Sequence, residues 1–162
     1  MFLDSYLMAR LLNELHPSEK GLGAMGMSQG GGLAIWLGAY CSLIRAVVAD
    51  MPFLAGMEWV LSQKMPRYPL KELADFIESA PENREALVRT LSYFDTLTQA
   101  GECYTPTLVT QGKRDPAVRP DQVKAIFEAL PGTKELVEID WGHDWHPSMV
   151  ERNQEWLERY LT

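Results

Sequence analysis

Residues 23–32 read Gly23-Ala24-Met25-Gly26-Met27-Ser28-Gln29-Gly30-Gly31-Gly32, five glycines around a single hydroxyl. At the centre lies Gly26-Met27-Ser28-Gln29-Gly30, a G-x-S-x-G, and such a motif carries meaning only where a strand runs into a helix. The flanks fit: a short strand is expected near 21–27 and a helix at about 29–40. Gly26 and Gly30 lack a Cβ and are read as the residues that let the strand reverse sharply, with Ser28 at the apex in a strained backbone conformation. The backbone N–H of Gln29 then points, from the positive end of the helix, to where an oxyanion would form. The bland reading is a glycine-rich helix start packed closely on a sheet. A Walker-type phosphate loop needs Gly-Lys-Ser/Thr, which these residues do not supply. Gly21-Leu22-Gly23-Ala24-Met25-Gly26 has the letters of a dinucleotide fingerprint. It falls inside the expected strand rather than after it, and Asp50 lies farther on than the usual spacing of about twenty residues.

Outward from this turn, strands and helices alternate. A helix is expected at about 1–15, where Phe2, Leu3, Tyr6, Leu7, Leu11 and Leu15 recur at helical spacing and predict a face turned to a core. Ala46-Val47-Val48-Ala49-Asp50 reads as a strand, and residues 51–100 as a mostly helical, cap-like segment punctuated by Pro52, Pro66, Pro69 and Pro81. Strands follow at 107–110 and 135–139, with helices at about 120–130 and 147–161. The last helix presents Val150, Trp156, Leu157, Tyr160 and Leu161 as its apolar residues. This order predicts one α/β domain over 1–162, with a mainly parallel sheet of about four strands and helices on both faces. In such sheets reactive groups gather at the carboxyl ends of the strands.

Composition narrows the function classes. Apolar residues make up 46 % of the 162 and charged residues 23 %, as in globular domains. A formal charge of −7 without a basic stripe argues against nucleic acid as the main partner. The apolar N-terminus is interrupted by Asp4, Arg10 and Glu14 and lacks a small-residue cleavage site, so it does not read as a signal peptide. No apolar run is long enough for a membrane span. Cys41 and Cys103 are far apart, without C-x-x-C spacing, and suggest neither a zinc knuckle nor a disulfide framework. A cytoplasmic protein is the expectation.

A serine needs a base, and the base an orienting acid. The third strand leads to Gln111-Gly112-Lys113-Arg114-Asp115, the fourth to Trp141-Gly142-His143-Asp144-Trp145-His146. Ser28, Asp115 and His143 thus fall in the order serine, acid, histidine of α/β-hydrolases, not that of chymotrypsin or subtilisin. Gly142 favours a tight loop that swings the His143 ring over the sheet, while His146, before Pro147, reads as a helix-start residue. His146 stays the rival base, and Asp50, at the end of a strand nearer the serine, the rival acid; Asp140 and Asp144 read as loop or capping residues. A His143/His146 metal pair has no third ligand in view.

At these residues the sequence resembles a family. GMSQGGGLAIWLGAYCSLIRAVVADMPFL from Gly26, LSYFD at 91–95 and TLVTQGKRD at 107–115 are similar to the C-terminal half of the acetyl xylan esterase/cephalosporin C deacetylase family. The resemblance implies a serine carbohydrate esterase on the α/β-hydrolase fold, with Ser28 as nucleophile, Asp115 as acid, His143 as base and the Gln29 N–H as one oxyanion donor. It implies removal of acetyl groups from small acetylated sugars or similar esters, with no cofactor. Two features depart from it: the family's Arg-Gly-Gln motif has no counterpart, and its His-Glu pair is His143-Asp144 here. The family's first strands and second oxyanion N–H would precede Met1, so the expectation is a truncated or minimal hydrolase. The elbow strand would then be an unpaired edge, which leads to the expectation of a homodimer. A catalytically silent remnant serving as a binding module is the alternative from another class.

Overall fold

The computed structural model describes residues 1–62, 68 and 70–162; Pro66 and Pro69 of the expected punctuation lie outside the described residues. Four strands, β1 (Leu22–Met27), β2 (Ile44–Asp50), β3 (Thr107–Gly112) and β4 (Lys134–Ile139), form one parallel sheet in the order β1-β2-β3-β4. The strands are those expected, with β2 beginning earlier and β3 running through Gly112. The two inner strands are almost wholly buried. That explains why they read as continuous apolar runs rather than alternating ones.

Helices cover both faces. On one face α2 (Gln29–Tyr40), α6 (Thr96–Ala100) and α7 (Pro120–Ala129) enclose Ile35, Val47, Ala49, Val109, Val123 and Ile126. On the other, α8 (Pro147–Leu161) lays Trp156 against Ala46, Val48 and Leu108. Its buried stripe is Met149, Asn153 and Trp156, and Val150, one of the helix's apolar residues, is half exposed because it lies off that stripe. The segment after β2 contains α3 (Met57–Val60), α4 (Leu70–Ser79), a short 3-10 turn at Pro81–Asn83 and α5 (Arg84–Ser92), and neither α4 nor α5 has a buried residue.

The first helix, α1 (Phe2–Leu15), forms where expected but faces differently. It meets α2 through Phe2, whose ring lies 5.0 Å from that of Trp36, and through Tyr6 and Ala9. Leu3, Leu7, Leu11 and Leu15, expected to face a core, are exposed. Leucine periodicity established an apolar face, but the described residues place no surface opposite it.

Candidate active site

The parallel register brings the strand ends together: Met27 is level with Asp50, Asp50 with Thr110, and Gly112 with Ile139. Ser28 follows directly after β1 with φ 55° and ψ −119°, a conformation that costs a non-glycine residue about 1–3 kcal/mol. Three main-chain bonds hold it there. Its N–H donates to the Asp50 carbonyl at 2.8 Å, and its own carbonyl accepts from Phe53 at 3.0 Å and Gly32 at 3.2 Å. Of the two glycines expected to permit the turn, Gly26 is the one that must lack a side chain. A Cβ there would lie 2.4 Å from the carbonyl of Gly30, whereas a Cβ on Gly30 would meet open space. Gly31 and Gly32 serve differently, letting α2 approach Asp50 and Pro52, and Phe53 and Thr96.

The acid and the base reach Ser28 from the next loops. Lys113 N–H donates to the Ile139 carbonyl and Arg114 N–H to that of Trp141, zipping the loop after β3 to the loop after β4. Gly112 makes this possible, since a Cβ on it would sit 2.8 Å from the Gly142 carbonyl. Gly142 itself has open space and no left-handed φ, so the tight approach credited to it belongs to Gly112. The Asp115 carboxylate is buried. Its Oδ1 accepts from the N–H groups of Ala117 and Val118, both at 2.8 Å, and its Oδ2 lies 2.6 Å from His143 Nδ1. On the other side of the ring, His143 Nε2 is 3.0 Å from Ser28 Oγ. With Nδ1–H donating to Asp115, Nε2 is left as an acceptor aimed at the hydroxyl. Such a chain can remove a proton from Ser28 as its oxygen attacks an electrophile. Gln29 opens α2, where the N–H groups of the first turn have no helical acceptor and carry the positive end of the helix.

The rivals lie elsewhere. His146 caps α8, its Nδ1 2.8 Å from Ser148 Oγ and its ring against Trp141. Asp140 pairs with Arg114, and Asp144 accepts from the N–H of Trp145. Asp50 is buried against Thr110 and Asn153, and burial pushes its carboxyl above the usual range in spite of the two hydrogen bonds. The sequence reading passed over Asp95. This buried carboxylate caps α6 through Leu97 and also accepts from the N–H groups of Gly56 and Met57, anchoring the far end of loop 51–56 that packs on the elbow. An aspartate directly before a helix was the available cue.

Cavities of about 230 Å³, lined by Ala55, Trp59, Leu97 and Gln122, and about 500 Å³, lined by Met57, Arg84 and Val88, flank that loop; Ser28, Asp115 and His143 line neither. Among the described residues, no three His, Cys, Asp or Glu side chains converge as metal ligands, and no helix is long and apolar enough to cross a membrane.

A family model for acetyl xylan esterase (AXE1) matches residues 1–160. Among solved structures, the chain is similar to the acetyl xylan esterase of Paenibacillus sp. R4, with 27 % identity and a TM-score of 0.90 over 99 % of this chain and 52 % of that one. It is similar in fold to acetyl xylan esterase 1 from Thermoanaerobacterium sp. JW/SL YS485, with 23 % identity and a TM-score of 0.89 over 100 % of this chain and 53 % of that one. A Pyrococcus furiosus esterase shares the fold at 22 % identity and a TM-score of 0.70, with 99 % of this chain and 62 % of that one covered. The chain therefore spans about half the length of the acetyl xylan esterases it matches.

Proposed function

The chain belongs to the acetyl xylan esterase family, and from that premise we propose that it is a serine esterase removing short acyl groups, acetyl above all, from small acetylated sugars or similar esters. The observation that carries the reading is the continuous chain from Asp115 Oδ2 through His143 to Ser28 Oγ, at 2.6 and 3.0 Å. In this reaction His143 Nε2 takes the Ser28 proton while Oγ bonds to the ester carbonyl carbon. The resulting oxyanion is held by the Gln29 N–H. The intermediate collapses with cleavage of the bond to the alcohol oxygen, which leaves with the proton from His143. Water, deprotonated by His143, then releases the acid from acyl-Ser28. Asp115 keeps Nδ1–H oriented and stabilises the imidazolium.

The same proposal includes a homodimer built on the β1 edge and α1. Among the described residues β1 pairs only with β2, and Leu3, Leu7, Met8, Leu11 and Leu15 of α1 stand exposed. An unpaired strand edge and a row of exposed apolar side chains on one helix invite a second chain, most simply through a two-fold axis.

Hydrolysis of p-nitrophenyl acetate tests the reading. Ser28→Ala and His143→Ala should fall to the same floor, with the double variant no lower, because the members act as a unit. His146→Ala should retain most of the rate. Turnover undiminished in Ser28→Ala would count against the assignment and favour a silent binding module.

A further inference from the structure

The reaction above leaves the buried side chain of Asp50 without a role, yet its bonding is unusual. Asp50 closes β2 and is 5 % exposed. Its Oδ1 accepts from Thr110 Oγ1 at 2.8 Å, its Oδ2 from Asn153 Nδ2 at 2.7 Å, and its main-chain carbonyl from the N–H of Ser28 at 2.8 Å. Each partner belongs to a different segment. Ser28 opens the elbow; Thr110 lies in β3, which leads to Asp115; Asn153 lies in α8, into which the His143 loop runs. One residue is thus bonded to all three segments that carry the reacting groups.

Holding this arrangement costs stability. A carboxyl is kept out of water, and Asn153 Oδ1 is buried with no hydrogen-bond partner among the described residues. Apolar side chains could fill the same space without either penalty. We propose that Asp50 is a positioning residue, a brace whose carbonyl holds the elbow and whose carboxyl holds β3 and α8, so that Ser28 Oγ and His143 Nε2 stay within proton-transfer reach. The inference rests on reading Ser28, Asp115 and His143 as the triad. Its physical basis is that proton transfer needs heavy atoms about 2.6–3.2 Å apart. A displacement of roughly 1 Å transmitted from a distance can cost about 10²-fold.

Substitutions separate the brace from a charge effect. Asp50→Ala removes both side-chain bonds and should lower kcat about 10- to 100-fold, with KM changed less than about threefold. Asp50→Asn should stay within about threefold of the unmodified kcat. The Asn153 amide can turn so that its orphaned Oδ1 accepts from the new amide, and Thr110 still donates. Were Asp50 the acid that orients His143, Asp50→Asn would instead cost about 10⁴-fold. Thr110→Val, nearly isosteric, should cost about tenfold or less. A second readout is independent of turnover: the proton between His143 Nδ1 and Asp115 should give a far-downfield NMR resonance, kept in Asp50→Asn and broadened in Asp50→Ala and Thr110→Val. The brace is overturned if kcat and that resonance are unaltered in folded Asp50→Ala or, should that variant not fold, in Thr110→Val. It is equally overturned if Asp50→Asn is as impaired as Asp50→Ala. An unmodified chain without Ser28-dependent turnover would overturn the esterase reading instead, while the resonance in the same variants still decides the brace.

Discussion

Asp115, in the loop after β3, and Leu15, at the end of α1, lie in opposite environments. The carboxylate of Asp115 is buried with an acceptor bond to each of three neighbouring groups, whereas Leu15 is 65 % exposed. The contrast extends to their surroundings. At the carboxyl end of the sheet Ser28, Asp50, Asp95, Asp115 and His143 all have polar partners. Along α1 and the outer side of β1, leucine and methionine side chains face outward, Met25 among them. The first region is closed by bonds between its own loops. The second has an apolar face whose partner is not among the described residues.

Three experiments probe this contrast, the first at the closed end. Gly26→Ala drives a Cβ into the Gly30 backbone, and should destabilise the fold by about 3 kcal/mol in urea titrations. Gly30→Ala, with open space at that position, should be neutral or stabilising by up to about 1 kcal/mol through helix propensity. Equal effects would mean that the turn is not as tight as described.

The open region is probed by association. Sedimentation equilibrium at micromolar concentration should give twice the 18.3 kDa chain mass. Leu7→Glu with Leu11→Glu should convert it to monomer while changing monomer stability by no more than about 1 kcal/mol, since both side chains are already exposed. A well-behaved monomer before substitution would remove the proposed interface.

The smallest effect returns to Asp50. Burial raises its carboxyl above the ordinary value, so the folded state holds the proton more tightly than the unfolded chain. The associated stability is fully present below the unfolded value near pH 4 and lost as pH rises through the folded one. Asp50→Asn does not titrate. Its melting temperature should therefore exceed that of the unmodified protein at pH 7.5, and the gap should narrow toward pH 4. A gap that is constant with pH would mean that burial does not raise the carboxyl's hold on its proton.

The difference between the regions also marks what could be read in the sequence. That Ser28, Asp115 and His143 would come together was legible because each stands at a strand end, in a chain order tied to one architecture, and the parallel register did the rest. The glycine roles were half legible: composition pointed to a tight turn, but whether Gly26 or Gly30, Gly112 or Gly142 lacks room depends on atoms distant in sequence. Asp50 was seen as a competing acid, since strand position alone cannot reveal that Thr110 and Asn153 already occupy its oxygens. Periodicity failed for the outward leucines of α1. It reports that side chains share a face, and burial depends on what another part of the molecule sets against that face.

A Ser28 nucleophile activated by His143 has a chemical signature of its own. Incubation with a fluorophosphonate followed by peptide mass spectrometry reads it out. One adduct should form, on Ser28, at least about 10³-fold more slowly in His143→Ala and not at all in Ser28→Ala. No adduct on the folded protein, or labelling of Ser28 at the same rate without His143, would contradict it.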